Sequence, residues 1–220
     1  MLNNVHFSVI IILVENEQCS IRWEIMINKN KNKREKEKRI MEETIKLFEE
    51  KGIEKTSIRD IMRSTKLGLG TFYLYFRDKK DLEEKIVTDV MVDVLYDAER
   101  SCKGSSATER YNSFIGYIID YMVEHPMELE LISKNMNWVL YSKVENDERF
   151  KDADSALKFI LSKYQELFSE RHTEAEQLYI LSLTMHIVIS TCKSSMMEGS
   201  LLNVDEMKSV LFRIVEKIFR

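Results

Sequence analysis

Apolar residues recur along most of this chain at intervals of three and four, and that spacing predicts helices. The first runs from about Arg34 to Lys51, with Ile40, Met41, Thr44, Ile45, Leu47 and Phe48 at helical spacing, and Gly52 is placed to end it. Ser57-Ile-Arg-Asp60 reads as the capped start of a second helix that ends near Thr65 and buries Ile58, Ile61 and Met62. A tight turn at 66–68 leads into a short third helix, Leu69–Tyr75. Asp78 caps a fourth of about six turns, with Leu82, Ile86, Val90 (or Val87) and Val94 on its apolar side. Further on, Ser106-x-x-Glu109, Thr173-x-x-Glu176 and Asn203-x-x-Glu206 open three more helices, which end near His125-Pro126, Met197 with Gly199, and Phe219. Two others are expected at Glu128–Val144 and Ala153–Phe168. The pattern therefore predicts an all-α chain of about nine helices, with no internal repeat and no low-complexity linker.

Composition agrees with this. One Pro and six Gly in 220 residues are too few for the many turns of a strand-rich fold. The 44% hydrophobic share supports a proper core. The net charge of −4 hides an asymmetry: residues 29–85 carry roughly +5 and residues 86–220 roughly −7. A basic head on an acidic body fits a head that meets a polyanion, although a solvated charge run reads the same way. Cys19, Cys102 and Cys192 are odd in number and far apart, giving neither metal-ligand spacing nor a disulfide framework. Reduced thiols and a cytoplasmic location are the expectation. The apolar run Phe7–Val14 is far shorter than a membrane span, so no membrane partner is expected. The stretch from Met26, MINKNKNKREKEKR, reads as a basic entry to a nucleic-acid-binding head, and translation starting there is the expectation.

Several residues between Arg39 and Ile86 form a spaced constellation. These are Ile40, Leu47-Phe48, Gly52, Thr56-Ser57-Ile58-Arg59-Asp60-Ile61, Gly70-Thr71-Phe72-Tyr73-Leu74-Tyr75-Phe76, Lys79 and Leu82. The segment resembles the TetR/AcrR family of one-component transcriptional regulators. The resemblance covers about a fifth of the chain and spans four helices; the remainder matches in length and helical pattern only. It implies an N-terminal helix-turn-helix DNA-binding domain at 34–80, after an extension at 1–33, and a helical effector-binding and dimerisation domain at 81–220.

The residues themselves fit that implication. Two short helices joined by a tight turn place the second in the major groove. Gly70 lets a backbone approach DNA closely. Thr71 suits a base edge or a thymine methyl, and Tyr73 and Tyr75 offer hydroxyls to the duplex. Leu69 opens the recognition helix. Lys79, in the first turn of the fourth helix, suits a phosphate, and Ser57 caps its helix with a phosphate contact open to it as well. Phe72 and Phe76 are read as core. The chain departs from the family pattern at Lys66, where Gly is frequent, and at Leu69, where a polar residue is usual. It thus has few polar base readers.

The resemblance implies that the last two helices pair with those of a second copy. Leu178, Leu181, Met185 and Ile189 form one candidate stripe and Met207, Leu211, Ile214 and Ile218 another, though both fit an intramolecular core equally well. A homodimer would demand a near-palindromic operator on double-stranded DNA. Tyr111, Phe114, Tyr117, Tyr121, Trp138, Tyr141, Phe159 and His186 are candidate lining for an effector pocket, each also readable as plain core. Abundant Met and aromatic residues favour an apolar or aromatic small molecule, whose binding would release a repressor from its operator. No cofactor, no metal and no enzyme activity are expected, since phosphate loops, metal runs and catalytic triads are not found in the sequence. The alternative is a helical architectural or protein-interaction protein without an effector.

Overall fold

The computed structural model describes residues 31–137, 155–168 and 172–218. They gather into two compact units, one through Tyr75 and the other from Phe76 onward. The division falls slightly before the boundary expected at residue 80. The Arg77 backbone N–H and guanidinium both donate to Asp81, each at 2.8 Å, so the approach to the fourth helix is tied to that helix.

In the first unit, α1 (31–51) buries Ile40, Thr44, Leu47 and Phe48 along one face. Gly52, at φ +84°, closes it by donating its N–H to the Phe48 carbonyl at 2.8 Å. The buried Thr56 hydroxyl lies within donating distance of the Gly52 carbonyl at 2.9 Å and the Leu47 carbonyl at 3.3 Å, so helix-end acceptors are not left orphaned. α2 (Ile58–Ser64) buries Ile61 and Met62, with Ile58 half-buried. The Ser64 hydroxyl donates to Glu43, tying the end of α2 to α1 and holding the Glu43 carboxyl below its ordinary range, with Lys46 adding to the effect. α3 (Leu69–Phe72) completes the unit.

The second unit holds α4 (Lys79–Ser101), α5 (Ala107–Glu124), α6 (Pro126–Lys134), α7 (Ala156–Tyr164, followed by a 3-10 turn at Gln165–Leu167), α8 (Glu174–Ser195) and α9 (Val204–Ile218). Asp78 caps α4 as the sequence predicts. The Ser106–Glu109 and Thr173–Glu176 capping boxes both form, and Asn203 and Glu206 bond each other's backbone at 3.0 and 2.9 Å. Where the pattern predicted one helix over Glu128–Val144, α6 starts at Pro126 and stops at Lys134, helix resumes at 136–137, and the rest of the expected span lies outside the described residues. Proline is preorganised for a first helical position. Asn135 then folds its side-chain amide onto the Leu131 carbonyl at 2.9 Å, a local bond that competes with helix propagation. The seventh helix is shorter than the expected Ala153–Phe168, because Ser155 caps it and a tighter turn succeeds it.

Candidate nucleic-acid interface

The turn from α2 to α3 is a Schellman motif. The Leu67 N–H donates to the Met62 carbonyl and the Lys66 N–H to the Arg63 carbonyl, both at 3.2 Å. Lys66 occupies the left-handed position at φ +56°, where glycine is usual and a side chain is strained. α3 covers four residues rather than the expected seven. Two further turns carry the chain to Tyr75, with Leu74 N–H to Thr71 O at 3.2 Å and Tyr75 N–H to Phe72 O at 2.9 Å. The three-residue spacing of these bonds tightens the segment, and Gly68 lends no side-chain cap at its start. Phe72, fully buried, anchors it.

Around that anchor, the predicted contact residues divide by exposure. Leu69 is 41% exposed and Tyr73 59%, and Gly70 also faces solvent, while Thr71 and Tyr75 are half-buried. Leu74, which the sequence reading passed over, is 73% exposed and stands one turn beyond Gly70. Phe72 and Phe76 are core, as read. A Cβ added at Gly70 would meet nothing within 4 Å, so nothing in the chain requires glycine there. Ser57 is the N-cap of α2. Its hydroxyl lies 3.2 Å from the Asp60 N–H, which it accepts, and 2.5 Å from the Asp60 carboxylate, to which it donates. With its proton committed, this hydroxyl has none to give a phosphate while the box is closed. Lys79 lies in the second unit, in the first turn of α4, 3.9 Å from Glu83.

Sequence reasoning also passed over the cations on and around α2 as contact candidates. Arg59 and Arg63 are exposed one turn apart, opposite the buried Ile61 and Met62. Arg63 lies 3.5 Å from Asp60, whereas Lys55, Arg59 and Lys66 have no ion-pair partner among the described residues. The i, i+4 spacing of Lys55, Arg59 and Arg63, away from the apolar face, was the available signal.

Residues 40–86 match the family model for bacterial regulatory proteins of the tetR family. The segment 40–86 is therefore similar to the DNA-binding part of the tetR family. It is 28% identical over 134 residues to an HTH-type transcriptional regulator of Staphylococcus aureus, a match covering 59% of this chain and 62% of that one. It is 26% identical over 141 residues to the HTH-type transcriptional regulator YuxN of Bacillus subtilis, covering 61% and 46%. The chain thus spans about half to three-fifths of the length of these curated relatives. Among solved structures, a TetR-family regulator of Syntrophomonas wolfei superposes with a TM-score of 0.61 at 20% identity, covering 84% of this chain and 95% of that one. The fatty acid degradation regulator FadR of Bacillus halodurans superposes with 0.58 at 12% identity, covering 82% and 94%.

In the second unit the candidate pocket residues divide by burial. Tyr111, Phe114 and Phe159 are buried core, and Tyr117 and Tyr121 are half-buried. Tyr111 and Phe114 pack with Tyr164 at centroid distances of 5.0 and 5.2 Å, and burial pushes the Tyr111 and Tyr164 phenols well up. Tyr121 stacks on His125 at 4.1 Å and donates to Glu128 at 2.6 Å. Trp138 and Tyr141 fall outside the described residues. His186 is exposed rather than buried, its Nδ1 donating to the Ser182 carbonyl at 2.7 Å, and it borders a groove of about 410 Å³ between α8 and α9.

Of the residues expected to meet a second copy, Leu181, Met185, Ile189 and Leu211 are packed inside the chain and have no surface to offer. Leu178, Met207 and Ile218 are half-buried, and Ile214 is 44% exposed. The open apolar positions on the same two helices are Tyr179, Leu183 and Val210, beside Ile214. Among the described residues no group of side chains is placed to hold a metal, and no helix is long and apolar enough to cross a membrane.

Proposed function

We propose that the protein is a cytoplasmic, dimeric transcriptional repressor that grips a near-palindromic operator through α3 and is released by a small apolar or aromatic molecule. The observation that carries the reading is the outward face of α3. It is an exposed probe with a backbone bare at Gly70, set by a tight turn that carries the exposed Lys66, in a unit that also exposes Lys55 and Arg59. A face of this kind fits a major groove, with the exposed cations meeting phosphates. Tyr73 is the polar reader on that face, Thr71 and Tyr75 flank it, and Lys79 adds a sequence-independent phosphate contact.

Dimerisation rests on α8. Leu181, Met185 and Val188 face inward and Tyr179 and Leu183 outward, so the helix is apolar on opposite sides. A helix apolar all round is stable when both sides are covered, and a second copy is the cover we propose. Two heads held about 34–36 Å apart would then read successive turns of DNA. An effector with differential affinity worth ~1–3 kcal/mol would change operator affinity about 5–150-fold.

The test is selection from a random duplex pool by the full chain, followed by titration of the selected duplex at several salt concentrations. The proposal expects one enriched, near-symmetric sequence with strongly salt-dependent affinity. It also expects Tyr73→Ala to weaken the selected duplex by about 1–3 kcal/mol while leaving the fold intact. Enrichment of nothing would favour the protein-interaction reading instead.

A further inference from the structure

We infer that α3 and the turn after it read the operator through thymine methyl groups, with Leu69 and Leu74 as the contacting side chains. This rests on the proposed DNA contact and specifies its chemistry. From Leu69 to Phe76 the chain runs LGTFYLYF, without a single Arg, Lys, Asn, Gln, Asp or Glu. Direct recognition of guanine draws on Arg or Lys at O6 and N7, adenine on Asn or Gln at N6 and N7, and cytosine on a carboxylate at N4. None of those groups exists on this face. Its exposed side chains are Leu69, Tyr73 and Leu74, with Gly70 between them. Only the Tyr73 hydroxyl among these is polar.

Apolar side chains in the major groove have one base-specific partner, the C5-methyl of thymine. The surroundings favour a duplex over an apolar protein surface as the occupant. In the same unit, Lys66 in the turn before α3, Arg59 on α2 and Lys55 just ahead of α2 are exposed without ion-pair partners among the described residues, a charge distribution suited to a polyanion. The open space at Gly70 fits the same arrangement, since a backbone without Cβ lets the flanking leucines reach the groove floor.

The experiment uses the full chain and the duplex selected from the random pool. Each thymine in a half-site is replaced in turn by deoxyuridine, which deletes the methyl and keeps every hydrogen-bonding edge. At least one replacement is expected to weaken binding roughly fourfold per buried methyl. The penalty is expected to shrink below about twofold when the titrated protein is Leu69→Ala or Leu74→Ala. Both leucines are exposed, so their truncation leaves the core untouched, and the wild-type arm stands without them. Selective binding that ignores every uracil replacement would overturn methyl readout while leaving DNA recognition standing. A uracil penalty unchanged in both leucine variants would overturn the assignment to these residues. A pool from which nothing is selected would overturn both readings.

Discussion

Ser57 and Asp60 satisfy each other's backbone: the Ser57 hydroxyl accepts the Asp60 N–H at 3.2 Å, and the Asp60 carboxylate accepts the Ser57 N–H at 3.1 Å. The box fixes where α2 begins and hence which way the turn after it delivers α3. Removing it by Ser57→Ala should lower stability by about 1 kcal/mol, read as a drop in melting temperature. Because the hydroxyl proton is already committed to Asp60, the same variant should leave the salt dependence of DNA binding unchanged. A flattened salt slope would show that Ser57 meets a phosphate after all.

Lys66 sits where the backbone is left-handed. Lys66→Gly relieves that strain, worth up to about 1 kcal/mol, partly offset by the greater freedom of glycine in the unfolded chain. The variant is expected to melt at an equal or higher temperature while binding duplex more weakly, with a salt slope smaller by about 1. Chemical denaturation and titrations at two salt concentrations would separate the two effects.

Stability should depend on pH at both ends. Hydrogen bonds from Ser57, Ser105 and Thr173 hold the Asp60, Glu109 and Glu176 carboxyls below their ordinary values. Depressed carboxylates contribute stability that is present above about pH 4 and lost as pH falls through their folded values. On the alkaline side, burial pushes the Cys192 thiol up to about 12 and raises the Tyr111 phenol. Groups kept neutral in this way contribute fully below their unfolded values, roughly 8.5 for thiol and 10 for phenol, and that contribution is lost above them. Melting temperatures from pH 3 to 11 should trace a plateau with a fall on each side. Replacing Asp60, Glu109 and Glu176 together by the corresponding amides should lower the plateau and flatten its acid edge.

The dimer proposal turns on which face of α8 looks outward. Leu183→Glu with Ile214→Glu places charge on the two exposed apolar positions, so the proposed dimer should dissociate into folded monomers, read by sedimentation. Leu181→Ala, on the inward face, should instead cost about 2–5 kcal/mol of stability. An unchanged sedimentation coefficient in the charged variant would remove this face from the interface.

That contrast marks what the sequence could and could not convey. Capping boxes, Gly52 and Asp78 are local signals, and they placed the starts and ends of most helices. The two sides of α8 are both apolar at helical spacing, one through Leu181 and Met185, the other through Tyr179 and Leu183. Periodicity alone does not say which side its own chain covers. Leu74 escaped notice because an apolar residue beside the buried Phe72 reads as core, and its exposure follows from the tightening of the chain after Phe72. The exposure of Leu69, Gly70 and Tyr73 was legible because the spacing of a helix-turn-helix fixes which positions of its second helix point away from the first.

The most direct test of the central claim is the affinity of Gly70→Ala for the selected duplex, measured beside its melting temperature. The added methyl meets nothing in the chain, and alanine favours a helix over glycine by up to about 1 kcal/mol, so the variant should be as stable as the parent or more so. If the bare backbone of α3 lies against DNA, affinity should nevertheless fall by roughly tenfold or more, the consequence of a shift of about 1.4 kcal/mol. A stable variant that binds the selected duplex as tightly as the parent would contradict the account.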